Sequence, residues 1–338
     1  MSNDSRSLVV QTLSFSEPSR IPRNIWILPW AQLNHPEKLA QIQKQFPQDI
    51  IGAPLSYSDV VAVTGNPYAV GSFIDEWGCE FENKQAGIIG EVKRPIIESY
   101  DVPLRTPDAL LSLKKDDINN FCRCSDKFVL ASCCPRPFER IQFLRGTVDV
   151  MMDIAMAEPA FLDLLHKVHS FYIKELELWA QTEVDALRFM DDWGSQLSLL
   201  INPETWRKVF KPLYKDYIDI AKRYGKFIFM HSDGFIIDII PDLIELGLDA
   251  LNSQIFCMGI EKLEQFKGKI TFWGEIDRQQ LLPFASESEI RNAVQKVYST
   301  LYDHGGLIAQ CEFGPGARPE NVYTVFDEWN NLGSSRIV

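Results

Sequence analysis

Eight short runs rich in β-branched and aromatic residues recur along the chain, and segments with a helical pattern separate them. Several of these segments end in a glycine turn, as in IAKRYGK and LYDHGG, which is typical of a helix C-terminus. Strands that alternate with helices form a parallel sheet. Eight such units predict a closed (β/α)8 TIM barrel of the α/β class, and no GxGxxG motif follows the first run to suggest a dinucleotide-binding sheet. The runs span residues 23–30, 49–55, 128–134, 185–193, 226–233, 249–254, 270–277 and 307–313.

The interval between the second and third runs is too long for a single crossover. Residues 56–127 contain the stretch IDEWGCEFENKQAGIIGEVKRPII, which is typical of a hairpin or a small sheet. We therefore predict one barrel domain over residues 1–338, with 56–127 as an insertion after the second strand that lies over one end of the barrel.

Charge and hydropathy narrow the range of partners. The formal net charge is -12, whereas binding to a nucleic-acid backbone needs a basic surface. No run of 18 apolar residues and no signal-peptide pattern is present. The seven cysteines form no disulfide framework typical of a small secreted domain. These features predict a cytoplasmic protein that acts on a small molecule, with neither nucleic acid nor membrane as a partner.

Polar side chains stand where most of the predicted strands end. In a parallel barrel these strand ends meet at one rim, which carries the active site. Each residue alone has a structural interpretation, such as a helix cap or a buried loop contact, but a structural account needs a separate coincidence at every strand. We therefore predict that they share one site, formed by Arg136, Asp191, Asp192, Gln196, His231, Asp233, Asn252, Gln254, Glu275 and Cys311.

Three of these residues are of types that bind divalent metals. His231 and Asp233 lie two positions apart, so on a strand their side chains point to the same face. Cys311 would reach the rim from the eighth strand. Imidazole, carboxylate and thiolate together form a donor set that zinc accepts. Alternatively, His231 is a core histidine, Asp233 caps the following helix and Cys311 is a buried apolar residue.

The motifs resemble those of the uroporphyrinogen decarboxylase superfamily. The resemblance rests on HSDGFIIDIIPDLIELGLDALNSQ, TFWGEID and GGLIAQCEFGPGARPENV, and also on FMDDWGSQ and IDEWGC. It covers nearly the whole chain. The superfamily has a TIM-barrel fold, which agrees with the strand pattern.

The resemblance points to one branch of this superfamily. Decarboxylases carry an N-terminal arginine that holds the carboxylates of the porphyrinogen, and Pro29 stands at the matching position here. In the cobalamin-dependent methyltransferases, a His-x-Cys motif and a later cysteine bind zinc. By this match His231 and Cys311 fall on ligand positions, while Asp233 replaces a cysteine. The chain is therefore closer to the methyltransferase branch.

The resemblance implies transfer of a methyl group between a corrinoid and a small nucleophile at a metal site. No corrinoid-binding module is visible, so the corrinoid would be a substrate or be carried by a partner protein. We assign Asp191, Asp192 and Glu275 to catalysis and Asn252, Gln254, Gln196 and Arg136 to substrate binding, with His231, Asp233 and Cys311 as ligands of zinc. The alternatives are a decarboxylase or lyase that acts on a smaller acid, and a metal-free barrel that only binds a ligand.

Overall fold

A computed structural model describes residues 4–334 and confirms the barrel. Eight parallel strands form one sheet in the order β1-β11-β10-β9-β8-β7-β6-β2, and three further strands form a separate antiparallel sheet in the order β3-β4-β5. The strands are β1 (Arg23–Ile27), β2 (Ile50–Gly52), β3 (Gly71–Ile74), β4 (Glu80–Asn83), β5 (Glu91–Arg94), β6 (Phe128–Leu130), β7 (Ala186–Met190), β8 (Phe227–Ser232), β9 (Ala250–Ser253), β10 (Thr271–Trp273) and β11 (Leu307–Phe313).

Helices connect the barrel strands, as expected for parallel pairing. Short 3-10 turns occur at Asp108–Leu111 and Glu264–Phe266. The α-helices are α1 (Ser5–Leu13), α2 (Pro29–Asn34), α3 (Pro36–Gln45), α4 (Lys115–Arg123), α5 (Pro137–Arg145), α6 (Thr147–Met156), α7 (Pro159–Ala180), α8 (Pro203–Val209), α9 (Lys211–Arg223), α10 (Ile240–Leu246), α11 (Ile255–Met258), α12 (Ile260–Leu263), α13 (Leu281–Phe284), α14 (Glu287–Leu301) and α15 (Pro319–Ser334).

Hydrogen bonds between β1 and β2 bring the two ends of the eight-stranded sheet together. The backbone N–H of Asp49 donates to the carbonyl oxygen of Arg23 at 2.8 Å, and the Asn24 amide donates to the carbonyl oxygen of Ile50 at 3.1 Å. These contacts complete a nearly closed barrel.

The barrel strands separate two apolar clusters. The inner cluster includes Ile50, Phe128, Phe229, Trp273 and Ile308. The larger outer cluster contains their sequence neighbours, which pack against the surrounding helices. Successive side chains of a strand alternate between these two sides.

Two tryptophans and an asparagine lie inside the barrel. The indole N–H groups of Trp26 and Trp273 both donate to Oδ1 of Asn24, at 3.1 and 3.0 Å. The two indole rings meet edge to face with their centroids 5.2 Å apart. Because these buried N–H groups are paired, the rings can line the barrel interior without an unsatisfied polar atom.

The interval 56–127 contains the small antiparallel sheet, followed by α4, which leads into β6. Gly87 of this interval accepts a backbone hydrogen bond from Trp30, which follows β1. Trp77 packs against Phe171 and Tyr172 of α7, with centroid distances of 5.0 and 5.7 Å. The small sheet is thus joined to the barrel by packing, while its extension over the barrel mouth stays a prediction.

None of the helices within residues 4–334 is both long enough and apolar enough to span a lipid bilayer.

A buried ion pair fixes the small sheet to α5. The Arg140 guanidinium pairs with Asp75, and its Nη2 lies 3.2 Å from Oε1 of Glu76. The guanidinium carbon, Cζ, lies 5.2 Å from the centroid of the Trp77 ring. Both Arg140 and Asp75 are buried. Removal of one partner would leave an uncompensated buried charge.

We predict that Arg140→Leu lowers the free energy of unfolding by roughly 3–5 kcal/mol, because Asp75 loses its counter-charge. Arg123→Leu is the matched control, because Arg123 pairs with Glu183 on the surface. It should cause little change. Chemical denaturation measures both variants, and equal stability of the two would contradict the assignment.

Candidate functional site

His231 is the residue around which the candidate site is arranged. It is the fifth residue of β8, and its Nδ1 lies 2.6 Å from Oδ1 of Asn252. The Asn252 amide nitrogen donates to the carbonyl oxygen of Trp273, so the amide oxygen faces the imidazole. Nδ1 therefore donates to the amide oxygen, and Nε2 is the nitrogen that points away from Asn252. The ring of Trp26 supports the imidazole at a centroid distance of 5.0 Å.

Two carboxylates face the second ring nitrogen of His231, Nε2. Nε2 lies 3.5 Å from Oδ1 of Asp192 and 3.6 Å from Oδ1 of Asp233. One ligand atom from each of the three residues lies within 4.8 Å of the others. We call Asp192, His231 and Asp233 the rim cluster. Its nitrogen and oxygen donors fit a divalent metal, because they belong to the ligand types that zinc accepts.

A backbone contact between two glycines positions the rim cluster. A Cβ added to Gly194 would lie 2.2 Å from the backbone nitrogen of Phe235, and one added to Gly234 would lie 2.0 Å from the carbonyl oxygen of Gly194. Gly234 also has φ of +79°. The loops after β7 and β8 can therefore touch only if both positions are glycine. This contact lets the backbone N–H of Asp233 donate to Oδ1 of Asp192 at 2.9 Å.

Arg278 is a charged member of the site that the sequence analysis missed. Its guanidinium pairs with Asp233 and lies 3.4 Å from Oε1 of Glu275 and 3.3 Å from Oε2 of Glu312. These carboxylates raise the pKa of Arg278 in spite of its burial. The signal was available, because Arg278 lies three residues after Glu275 in the same strand-end segment.

Glu275 is buried beside this arginine. Its side chain is 1% exposed, and neither carboxylate oxygen has a hydrogen-bond partner within residues 4–334. Burial raises the pKa of Glu275 well above its usual range, repulsion from Asp233 and Glu312 adds to the rise, and Arg278 opposes it. Glu275 therefore favours its protonated form unless a cation or a hydrogen-bond donor reaches it.

Glu139 is a second acidic group that the sequence analysis missed. It lies in the first turn of α5, and its Oε2 is buried without a hydrogen-bond partner. Burial raises its pKa to about 7, with a contribution from Asp192 and opposing effects of Arg136 and His231. Arg136, at the N-cap position of the same helix, is thus the counter-charge of Glu139. No sequence motif marks Glu139, because it lies within a helix instead of at a strand end.

Asp191 has a structural position, and its catalytic role stays a prediction. It is completely buried and accepts hydrogen bonds from the backbone N–H groups of Phe138 and Glu139, at 3.1 and 2.8 Å, and from the Tyr214 hydroxyl at 2.7 Å. Asp191 thereby binds the N-terminus of α5. The neighbouring Asp192 points to the other side of the chain, where it joins the rim cluster.

Cys311 is not brought together with the rim cluster. It packs in the outer cluster with Leu307, Ala309 and Phe313 of β11, whereas Ile308 belongs to the inner cluster. Side chains of a strand alternate between its two faces, so Glu312, next to Cys311, points into the barrel and Cys311 points out towards the helices. Burial, followed by repulsion from Glu275 and Glu312, raises the pKa of the Cys311 thiol well above its usual range. The expected thiolate ligand is therefore absent from this geometry.

The predicted substrate-binding residues divide between two environments. Asn252 is fully buried, and its side-chain amide forms hydrogen bonds with His231 and with the carbonyl oxygen of Trp273. It therefore orients the imidazole. Gln254 and Gln196 line a cleft with an empty volume of about 540 Å³, together with Glu275. A second cleft, of about 740 Å³, adjoins the first at Arg278 and includes Glu312 and Phe284.

Comparison with known proteins identifies the relatives of this chain. The sequence profile of the uroporphyrinogen decarboxylase (URO-D) family matches residues 75–332. A search of curated proteins finds no match.

Two solved structures share the fold at low sequence identity. A methyltransferase from Methanosarcina mazei superposes with a TM-score of 0.69 and 14% identity, over 97% of this chain and 99% of that protein. A B12-independent methionine synthase from Shewanella sp. W3-18-1, in complex with selenomethionine, gives a TM-score of 0.50 and 12% identity, over 88% of this chain and 86% of that protein. Both similarities support the barrel fold.

The contacts of the two adjacent aspartates predict losses of stability of different size. Asp191→Ala should lower the free energy of unfolding by at least about 3 kcal/mol, because three buried donors lose their acceptor. Asp192→Ala should cost about 1 kcal/mol, because its half-exposed carboxylate accepts one backbone hydrogen bond. Chemical denaturation of both variants is the measurement. A larger loss for Asp192→Ala would contradict these assignments.

Proposed function

The chain belongs to the uroporphyrinogen decarboxylase family, and on this premise we propose that it is an enzyme that transfers a methyl group between a corrinoid and a small nucleophile. The observation that supports this most directly is the rim cluster, in which Nε2 of His231 faces two carboxylates. The fold similarity to the Methanosarcina mazei methyltransferase also supports the proposal.

The metal site of this proposal consists of His231, Asp192 and Asp233. A divalent metal, with zinc as the first candidate, would deprotonate a bound thiol and hold it as a thiolate nucleophile. Asp192 takes the place that the sequence analysis gave to Cys311. The two carboxylates make the donor set harder than one built on thiolates, so the site should bind manganese or iron more readily than a thiolate site does.

The protein's own residues hold the imidazole and the acids in place. Asn252 fixes the ring of His231, and Trp26 limits its movement from one side. Arg278 neutralises part of the negative charge of Asp233, Glu275 and Glu312. We propose that Asp192 and Glu275 act in catalysis, Asp192 at the metal and Glu275 through direct contact of its carboxyl group with the substrate, while Gln196, Gln254 and Arg136 also contact the substrates.

The methyl carrier in this proposal is a corrinoid, either free or bound to a partner protein. The carbon–cobalt chemistry belongs to the corrinoid, and the barrel rim orients the acceptor. The two clefts that meet at Arg278 offer separate space for the two substrates that a methyl transfer needs.

A second candidate is decarboxylation of a small acid, and one observation favours it. Arg188 of β7 shares the inward face with Ala186, and its Nε is buried without a hydrogen-bond partner. An unpaired guanidinium inside the barrel would bind a carboxylate. Product analysis separates the two candidates, because only a decarboxylase releases carbon dioxide.

We predict that the wild-type protein binds one zinc ion per chain and that His231→Ala and Asp192→Asn lose it. Asp233→Cys should keep or tighten binding, because thiolate is a softer and stronger donor to zinc. Asp219→Asn is the matched control, since Asp219 pairs with Lys215 on the surface of α9. Elemental analysis after incubation with excess zinc and dialysis measures occupancy. Wild-type protein that stays metal-free would refute the metal site.

For the reaction, we predict that the zinc-loaded protein demethylates methylcobalamin in the presence of a small thiol. His231→Ala should abolish this activity, and Asn252→Ala should lower activity or metal affinity by about 10–100-fold, because it orients the imidazole. Absorbance of the corrinoid and mass spectrometry of the methylated thiol follow the reaction. Conversion of uroporphyrinogen to coproporphyrinogen over many turnovers, without methyl transfer, would instead favour the decarboxylase.

A further inference from the structure

The cleft next to the rim cluster has a strongly asymmetric set of polar groups. Its empty volume is about 540 Å³. Amide side chains provide much of its wall, and Arg278 is the one cationic side chain among the described residues that line it. The residues that line it include Gln196, Gln254, Phe256, Glu275, Asp277 and Arg278.

The arginine in this cleft already forms ion pairs with side chains of the protein. Its guanidinium is within ion-pair distance of Asp233, Glu275 and Glu312. The fourth carboxylate, Asp277, accepts the backbone N–H groups of Gln279 and Gln280 at 2.7 and 2.9 Å. Three carboxylates thus share one guanidinium, and Asp277 adds a further negative charge to the wall of the cleft, so an anionic ligand would meet net repulsion here.

Glu275, in contrast, lacks a hydrogen-bond partner among the described residues, although its carboxyl group is buried. It lines the cleft, it is 1% exposed, and both of its oxygens are without a hydrogen bond. The side chain of Arg278 approaches it only to 3.4 Å. A buried acceptor without a donor is costly, so this position favours a ligand that supplies N–H groups and positive charge.

The remaining wall suits a small ligand with an apolar part. The side chain of Phe256 lines the cleft, and the side-chain oxygens of Gln196 and Gln254 can accept further N–H groups. We propose that this cleft binds the ammonium group of a short aliphatic amine through Glu275, with the alkyl chain against Phe256. The inference rests on the proposed function in one respect, since it names the recognition group of the small substrate.

The position of the cleft connects it to the rim cluster. Arg278 contacts both Glu275 of the cleft and Asp233 of the rim cluster, so one guanidinium separates the two. In the proposed arrangement the ammonium group lies at Glu275 and the other end of the ligand lies on the Arg278 side of the cleft, which is the side nearer to the rim cluster. The ammonium group recognises the ligand, and the reacting group is at the opposite end.

Isothermal titration calorimetry with three probes of similar size tests the proposal on metal-free protein. The probes are propylammonium chloride, sodium propionate and neutral propionamide. Propylammonium should bind, propionate should not, and propionamide should bind more weakly because it lacks the charge. Glu275→Gln should weaken propylammonium binding by about tenfold or more, because a charged hydrogen bond is lost. Glu183→Gln, the same change at an exposed residue that pairs with Arg123, is the matched control and should not alter it.

Three results would overturn the inference: tighter binding of propionate than of propylammonium, unchanged propylammonium affinity in a folded Glu275→Gln variant, or no binding of propylammonium to the wild type. Circular dichroism verifies the fold of each variant. The test is independent of methyl transfer. Amine binding without methyl transfer would leave the inference standing and the proposed function refuted, whereas methyl transfer without amine binding would refute the inference alone.

Discussion

Every barrel strand can direct only alternate side chains towards the interior, and the arrangement of the site depends on this constraint. On β11 it gives the inward position to Glu312 and leaves Cys311 among the helices. On β8 it directs His231 inward, above Phe229 of the inner cluster. A metal site built from adjacent strands must therefore use the donors that face inward, whatever residue types stand beside them in the sequence.

Where the strands end, backbone packing replaces alternation as the controlling factor. Gly194 and Gly234 approach so closely that no side chain fits between the two loops. The carboxylates of Asp192 and Asp233 are thereby both held near Nε2 of His231. The carboxylates repel each other, and the hydrogen bond from the Asp233 backbone to Asp192 partly offsets this repulsion. The rim cluster is thus a product of main-chain geometry as much as of its charged side chains.

The sequence predicted the fold more completely than the site. All eight strands were found, because β-rich runs followed by helical segments report directly on parallel pairing. His231, Asp192 and Asp233 were recognised as strand-end residues, but the inward or outward direction of Cys311 depends on register, which spacing alone does not reveal. Asp191 and Asp192 were indistinguishable for the same reason. Glu139 escaped because its importance comes from contacts with residues far away in the chain. Arg278 was missed although it lies three residues after Glu275, because its ion pair with the distant Asp233 is not visible in the sequence.

The guanidinium of Arg278 has a consequence for how this barrel can evolve. Because one cation is shared by Asp233, Glu275 and Glu312, the effect of replacing any of these acids depends on which of the others are present. Loss of the arginine would expose all three to mutual repulsion at once. We therefore expect the four positions to form an epistatic group, in which a change at any one of them has to be compensated at another.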